Sequence, residues 1–358
     1  MRTMGYDFNI DVRDLSLKEY TVFEYLKKYN TVFLDSGRSC IKILCQLIKN
    51  KEILVPSFSC FSVIYGFTEG VKPVFYEIYD KNFGINFDDI KSKITDKTGA
   101  IYITNYFGHM LSDEDAEKIN KIKKEYNLIV IEDNTQSMFS GGLKVGDYSL
   151  CSTRKWFSVP DGGVIYSDNS LSTLDLRGLK KDSKQCDKLY PQIVKTMFLK
   201  NMIDYPPKEI ADLFAVVEEE LNEYADNGEI FLMNDFTEFV YKCNSVNDMI
   251  KKRQENEKYL RTLINSPYLT QAIDERAEGE CPFNMPMYCM HRDEMWNYLT
   301  ERFNIYPSVL WRTYQYDPVN KIGNTAKMGH EIISFPIDQR YGKEDMEFLA
   351  EAINSFKI

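Results

Sequence analysis

A lysine and an aspartate, each at the end of a strand-like run, have residue types and a spacing that could do covalent chemistry. Asp133 closes one apolar run, and Lys155 follows the next, a few residues before Asp161-Gly162-Gly163. A lysine amine forms a Schiff base with pyridoxal phosphate, and a carboxylate keeps the pyridine nitrogen protonated, so that the ring accepts electrons. Alone, each residue is more often an ordinary surface lysine or a strand-ending aspartate. The pair is therefore a hypothesis that other parts of the chain must support.

Composition excludes several other classes of protein. The 358 residues are 27% charged and 44% hydrophobic, as in ordinary globular proteins, and the net charge of -10 argues against a nucleic-acid surface. No apolar run approaches the roughly 20 residues that cross a bilayer, and no signal peptide is evident. The eight cysteines and three histidines form neither a CxxC pair nor a cluster. We therefore expect a cytoplasmic protein with no metal, no disulfide framework and no membrane partner.

Strand-like and helix-like segments alternate in the first half of the chain. The predicted strands cover 31–34, 53–55, 73–78, 100–104 and 128–132, and the predicted helices cover 39–49, 61–67, 87–94 and 112–126. This order predicts right-handed crossovers and a mainly parallel sheet. Ligands of such sheets bind at the carboxyl ends of the strands, where Asp133 and the loop after Leu34 both fall.

The second half of the chain has a different pattern. Residues 171–256 are mostly helical, with a long helix predicted over 245–263. The C-terminal segments predicted after it are strand 285–290, helix 292–303, extended 305–311, strand 332–335 and helix 343–356. We therefore predict a large domain over 1–255, with the first 30 residues unassigned, and a smaller α+β domain over 256–358.

The loop Ser36-Gly37-Arg38-Ser39 is the candidate phosphate site. It follows the first predicted strand and begins the next helix, where unpaired N–H groups and the helix dipole favour an anion. Gly37 permits close approach, and Arg38 could add a charge-assisted contact. On this motif alone, an ordinary turn with Ser39 as helix N-cap is the more common arrangement. No GxGxxG motif or P-loop offers another nucleotide site.

A set of short motifs, taken in order, identifies a family. They are Ser36-Gly37-Arg38, Val55-Pro56-Ser57-Phe58, Val71-Lys72-Pro73-Val74-Phe75, Ile131-Glu132-Asp133-Asn134-Thr135-Gln136, Val145-Gly146-Asp147, Lys155 with Asp161-Gly162-Gly163, His291-Arg292-Asp293, Leu310-Trp311 and Phe335-Pro336-Ile337-Asp338. In this order they resemble the DegT/DnrJ/StrS-type nucleotide-sugar aminotransferases. The resemblance implies an α/β fold, that of the PLP-dependent transferases of fold type I, with a mainly parallel sheet in the large domain and a smaller α+β C-terminal domain.

The resemblance also implies cofactor contacts. Lys155 would be the Schiff-base lysine and Asp133 the partner of the pyridine nitrogen, with Gln136 near the ring's 3-oxygen or else an ordinary loop residue. Besides these three, the predicted cofactor-binding set contains Gly37, Arg38, Ser39, Phe61 and Ser152. Three features depart from the family pattern. The phosphate serine is Ser152 or Ser149, with Ser152 favoured by the Ser-x-x-Lys spacing. The position of the stacking aromatic holds Cys60, flanked by Phe58 and Phe61, and the Gly-x-Asn-x-Arg segment has no counterpart.

The implied activity is a pyridoxal phosphate-dependent aminotransferase. It would move an amino group from glutamate to a keto sugar linked to a nucleotide, in polysaccharide biosynthesis, and would work as a homodimer with both sites at the interface. A sugar dehydratase of the same fold is one alternative, although dehydrating members tend to carry histidine where this chain has Lys155. A non-catalytic cofactor-binding regulatory protein is the other alternative, favoured by the missing Gly-x-Asn-x-Arg segment.

Overall fold

A computed structural model describes residues 3–5, 8–10, 15–181, 184–200, 202–203, 209, 212–213, 215–217, 229–311 and 323–358. Its strands are β1 (Met4–Gly5), β2 (Asn30–Leu34), β3 (Glu52–Pro56), β4 (Lys72–Tyr76), β5 (Thr98–Thr104), β6 (Ile129–Asp133), β7 (Tyr148–Cys151), β8 (Gly163–Ser167), β9 (Thr270–Gln271), β10 (Met285–Tyr288), β11 (Ile305–Tyr306) and β12 (Ile332–Phe335). Its helices are α1 (Val22–Leu26), α2 (Gly37–Cys45), α3 (Phe61–Ile64), α4 (Phe87–Lys93), α5 (Asp113–Tyr126), α6 (Leu189–Leu199), α7 (Asp235–Lys242), α8 (Val246–Leu263), α9 (Arg292–Phe303), α10 (Thr325–Glu331) and α11 (Lys343–Asn354). None of the helices in these ranges is long and apolar enough to cross a membrane.

The chain divides into two compact units. The first comprises Asp7–Leu47 and Leu150–Val246, and the second comprises Arg2–Tyr6, Ile48–Ser149 and Asn247–Ile358. Each unit thus combines segments that are distant in the sequence. The domain boundary predicted between residues 255 and 256 stays a prediction.

A parallel sheet forms the centre of the second unit. Its strands lie in the order β6-β5-β3-β4, and each neighbouring pair is parallel. These strands are apolar along nearly their whole length because both faces of a parallel sheet are buried; Leu54 and Ile101, for example, are fully buried. Helices α4 and α5 follow β4 and β5 in the chain. The predicted α/β fold with a mainly parallel sheet is confirmed.

The C-terminal residues of the second unit form an α+β layer. Strands β12, β10 and β9 make a small antiparallel sheet in that order. Alternating apolar residues of β10 and β12 join one buried cluster with residues of α8, α9 and α11, including Leu260, Leu299 and Leu349. The predicted helix over 292–303 and strand over 332–335 have the bounds that the sequence indicated.

The first unit is built around an antiparallel strand pair. Strands β2 and β8 pair along their whole length, from Asn30 opposite Ser167 to Leu34 opposite Gly163. Trp156 and Tyr241 are among the largest fully buried side chains of this unit. The pair brings the loop after β2 next to the residues that precede β8, because Leu34 and Gly163 are direct neighbours.

Two helices differ from their predicted bounds for local reasons. The helix predicted over 39–49 begins at Gly37, because Ser36 rather than Ser39 is its N-cap; Ser36 Oγ accepts the N–H of Ser39. The α-helix ends at Cys45 and continues as a 3-10 turn over Gln46–Ile48. The helix predicted over 61–67 is a single turn that ends at Ile64. In the extended segment predicted over 305–311, β11 ends directly before Pro307, and Ser308 then forms an antiparallel bridge to Ser334.

Candidate active site

Lys155 lies on a single 3-10 turn, Thr153–Lys155, directly after β7. Thr153 is fully buried and anchors this turn, because its N–H donates to the Gly162 carbonyl at 3.1 Å and its hydroxyl is hydrogen-bonded to the Tyr241 hydroxyl. The Lys155 side chain is exposed, and no carboxylate in the described ranges forms an ion pair with it. Thr153 therefore holds the turn in place, while the Lys155 amine remains accessible for covalent chemistry.

The two glycines of Asp161-Gly162-Gly163 permit close backbone approach. Gly162 has a φ of +126°, and a Cβ there would lie 2.4 Å from Thr153 Oγ1. A Cβ on Gly163 would lie 2.3 Å from the carbonyl oxygen of Ser36. Only glycine fits both positions, and together they bring the turn of Lys155 and the loop after β2 against this segment.

Asp161 has a structural role within the first unit. Its buried carboxylate accepts the N–H of Asn234 at 2.9 Å and the hydroxyl of Thr237, and Asn234 is the N-cap of α7. Burial raises the pKa of Asp161 to about 6, and the nearby charge of Asp35 adds to the rise. Asp161 thus fixes the start of α7, the helix that supplies Tyr241 to the Lys155 turn.

The candidate phosphate loop is the first turn of α2. Ser36 caps the helix, so the Gly37 N–H is at a position with no acceptor inside the helix. Ser39 is buried; its N–H donates to Ser36 Oγ at 3.1 Å, and its hydroxyl donates to Asp35 Oδ1 at 2.6 Å. The polar groups of Ser39 thus hold the loop in shape, and its predicted contact with a cofactor stays a prediction.

The structure separates the two candidate phosphate serines. Ser152 is half-buried and lies beside the loop, since a Cβ on Gly37 would be 3.1 Å from Ser152 Cβ and 3.7 Å from its Oγ. Ser149 is fully buried, donates to Glu132 Oε2 at 3.3 Å and accepts from Asn134 Nδ2 at 3.4 Å. This geometry favours Ser152, as the Ser-x-x-Lys spacing did.

Asp133 ends β6 in the second unit and is buried. Its Oδ2 accepts from the Tyr102 hydroxyl at 2.7 Å, and its Oδ1 accepts from the Thr135 N–H at 2.9 Å. Burial raises the pKa of Asp133, and hydrogen bonds from the Thr135 side chain, the Tyr102 hydroxyl and the Thr135 N–H oppose the rise. Within the described ranges no cation pairs with this carboxylate. A buried carboxylate with neutral donors only is suited to receive a cationic ligand group.

Gln136 joins the loops that follow β5 and β6. Its Oε1 accepts the N–H of Phe107 at 2.8 Å, next to Gly108, whose N–H donates to Ser137 Oγ at 3.1 Å. Phe107 has a φ of +52°, so these bonds hold a backbone that a bulky residue rarely adopts. The amide oxygen of Gln136 is thereby used within the protein, and its NH₂ group remains as the possible donor to a ligand.

The aromatic candidates also divide by burial. Phe58 is fully buried, and its ring lies 5.2 Å from Trp311 and 5.9 Å from Tyr106, measured between centroids. Phe61 is half-buried at the start of α3 and stacks on Tyr65 at 5.9 Å, and Cys60 is the N-cap before it. Phe58 is thus part of the core, whereas Phe61 is partly exposed.

Several residues important to the geometry carried no sequence signal. Tyr102 lies in an apolar strand and has the pattern of a core residue, while Thr153 and Tyr241 are 88 positions apart. Within the first unit the structure brings together Gly37 and Ser152, and Lys155 is on the same turn as Ser152. No group of three or more His, Cys, Asp or Glu side chains among the described residues is arranged to hold a metal ion.

The chain is similar in sequence to known proteins. A GDP-4-keto-6-deoxy-D-mannose 3-dehydratase from Yersinia pseudotuberculosis is 26% identical over 182 residues, which cover 46% of this chain and 46% of that protein, so the chain spans about half the length of this curated relative. A dTDP-3-amino-3,6-dideoxy-alpha-D-galactopyranose transaminase from Aneurinibacillus thermoaerophilus is 24% identical over 323 residues, which cover 85% of this chain and 78% of that protein. The similarity thus extends beyond the candidate site residues.

Solved structures show the same fold. The E. coli GDP-4-keto-6-deoxy-D-mannose-3-dehydratase with bound hydrated PLP superposes with a TM-score of 0.67 at 16% identity, over 98% of this chain and 100% of that one. The model of the DegT/DnrJ/EryC1/StrS aminotransferase family matches residues 17–201, which is more than half of the chain and includes Gly37, Asp133 and Lys155. The resemblance predicted from the short motifs is confirmed, and the chain belongs to the DegT/DnrJ/EryC1/StrS aminotransferase family.

Proposed function

We propose that this protein is a pyridoxal phosphate-dependent aminotransferase that moves an amino group from glutamate to a keto sugar linked to a nucleotide. The observation that most supports this is the exposed Lys155 amine on a turn that buried Thr153 anchors, beside Ser152 and the first turn of α2. Membership of an aminotransferase family and similarity to a transaminase of a dTDP-linked amino sugar agree with it.

Two separate observations support the binding of pyridoxal phosphate by this chain. In the first unit, Ser152 lies beside Gly37 in the first turn of α2, and the Gly37 N–H and the Ser152 hydroxyl would donate to a phosphate. In the second unit, Asp133 accepts hydrogen bonds from neutral donors and would gain a cationic partner in a protonated pyridine nitrogen. Phe61 would contact the ring face.

The cofactor supplies an electron sink for the carbanion that forms at the donor's α-carbon. Lys155 Nζ would first hold the cofactor covalently. After the amino donor displaces it, this amine would take the proton from the donor's α-carbon as a base and deliver it as an acid to the cofactor carbon that carries the transferred nitrogen. The Asp133 carboxylate would keep the ring nitrogen protonated. The Gln136 NH₂ group would donate to the oxygen substituent on the ring.

The lysine variant tests this proposal directly. Lys155→Ala should fold normally and bind the cofactor only reversibly, and it should lose turnover with glutamate, because no amine remains for the covalent link and the proton shift. The wild-type protein should be yellow and should lose its visible colour when glutamate is added. Lys251→Ala removes an exposed lysine from α8 and is the matched control. A Lys155→Ala protein with full turnover would reject the assignment.

Asp133→Asn separates an enzyme from a passive binder. The change keeps the size of the side chain and removes its charge, so we expect cofactor affinity to fall modestly and the half-reaction with glutamate to slow by orders of magnitude. Stopped-flow half-reaction rates and cofactor affinity on the same variant make the test. Equal half-reaction rates for both proteins would support a non-catalytic cofactor-binding regulator instead.

A sugar dehydratase is the second candidate, because two relatives and a matching structure are named as 3-dehydratases. The retained Lys155 argues for aminotransfer, since dehydrating members of the family tend to carry histidine there. The two activities differ in their product from a nucleotide-linked 4-keto sugar. Aminotransfer gives an amino sugar with nitrogen from labelled glutamate, and dehydration gives a deoxy keto sugar without it.

We also propose a homodimer in a reducing cytoplasm, acting in the synthesis of polysaccharide precursors. Family resemblance supports the dimer, and all eight cysteines are free thiols, which agrees with a reducing compartment. Sedimentation over a range of concentrations should show a dimer when the enzyme is active. A fully active monomer at every concentration would contradict shared active sites.

A further inference from the structure

Tyr102 is a buried tyrosine whose hydroxyl reaches the candidate pyridine partner. It lies on β5, is 1% exposed, and donates to Asp133 Oδ2 at 2.7 Å. In the parallel register Tyr102 pairs with Ile131, two residues before Asp133 on β6, so its side chain runs along the sheet toward the strand end. The rings of Tyr102 and Phe67 pack in a T-shaped arrangement with their centroids 6.1 Å apart, and this packing restricts the orientation of the Tyr102 ring.

Each oxygen of Asp133 accepts a hydrogen bond from a different residue. Tyr102 donates to Oδ2 and the Thr135 N–H donates to Oδ1, and the Thr135 side chain makes a further hydrogen bond to this carboxylate. All three contacts favour the ionised carboxylate over the neutral acid, because an ionised oxygen is the better acceptor. Burial raises the pKa of Asp133, so each of these donors offsets part of the effect of burial.

We propose that Tyr102 is a positioning residue that keeps Asp133 ionised and aimed, so that the proton of a bound pyridine stays on the ring nitrogen. The inference rests on the proposed function. In the competing state, that proton has moved from the ring nitrogen to the Asp133 carboxylate, so that a neutral acid lies beside a neutral pyridine. Without the Tyr102 hydroxyl the carboxylate is the stronger base and takes the proton more readily.

Tyr102→Phe keeps the ring and removes only the hydroxyl. A hydrogen bond to a charged group changes such a proton equilibrium by about ten- to a hundredfold. With cofactor labelled at the ring nitrogen with ¹⁵N, we expect the NMR signal of the Tyr102→Phe holoenzyme to shift toward that of a neutral pyridine. Cofactor affinity should change by a few-fold at most, and the half-reaction with glutamate should slow less than in Asp133→Asn.

Tyr76→Phe is the matched control, since the Tyr76 hydroxyl is also buried in this sheet but donates to the Tyr102 carbonyl at 3.0 Å. It should leave the ¹⁵N signal at the wild-type position. An unchanged signal in Tyr102→Phe, or the same shift in Tyr76→Phe, overturns the role of Tyr102. The proposed function fails separately, if the wild-type protein binds no cofactor or if Asp133→Asn leaves the ring nitrogen protonated.

Discussion

Removing the charge of Asp161 should stabilise this protein at neutral pH. The carboxyl group is buried and accepts hydrogen bonds from the Asn234 N–H and the Thr237 hydroxyl. Asparagine at this position can still accept from Asn234 through its amide oxygen, and it can donate to the Thr237 oxygen through its NH₂ group. Asp161→Asn therefore keeps both contacts and removes only the charge that burial disfavours.

The magnitude follows from the pKa of Asp161, which burial raises from 3.8 to about 6. A difference of roughly two pKa units, at about 1.4 kcal/mol each, corresponds to about 3 kcal/mol. Because the folded pKa lies above the unfolded one, the folded state binds this proton more tightly. The stability that comes from this tighter proton binding is thus fully present below about pH 4 and is lost as the pH rises through about 6. Asp161→Asn should match wild type near pH 4 and exceed it by about 3 kcal/mol near pH 7.

Urea unfolding at a series of pH values measures this difference. Asp175→Asn removes the same unit of charge from the surface, where Arg177 lowers the pKa of Asp175 to about 2, so the difference between this control and wild type should stay flat between about pH 4 and pH 7. The reasoning would be refuted by a stability difference for Asp161→Asn that does not change with pH, or by a variant less stable than wild type near pH 7. Either result would mean that Asp161 is ionised in the folded state with a net gain from its two donors.

Three further predictions concern the loops and the ring contact. Gly37→Ala should leave the fold stable, because the backbone angle φ at this position does not require glycine. The added methyl group should crowd Ser152 and weaken the binding of pyridoxal phosphate about tenfold. The affinity for pyridoxal, which lacks the phosphate, should not change and is the control. Gly162→Ala should destabilise the fold by at least about 1–3 kcal/mol in urea, because it combines a positive φ with a clash against Thr153 Oγ1. Phe61→Ala should change the urea midpoint of unfolding little and should lower the affinity for the cofactor. An unchanged affinity would mean that Phe61 does not contact the cofactor ring.

The local patterns of the sequence predicted most elements of the fold correctly. The strand over 100–104 lies inside β5 and the helix after Ser112 became α5, because apolar periodicity and a capping serine act over a few residues. Parallel strands in the second unit followed from the alternation of strand and helix. Bounds failed where a cap decided them, as at Ser36, since either serine of Ser36-Gly37-Arg38-Ser39 is a good N-cap by residue type.

The sequence by itself determined the family and the candidate residues, because residue types in order along the chain single out Lys155 and Asp133 after strand-like runs. Only the tertiary structure decided how those residues are held. Tyr102 donates to Asp133 across 31 positions, and Thr153 meets Tyr241 across 88. Such contacts depend on which strands and loops become neighbours after folding. Near-neighbour patterns carry no information on these pairings, because a buried tyrosine with a hydrogen-bond partner and one that only fills the core look alike in sequence.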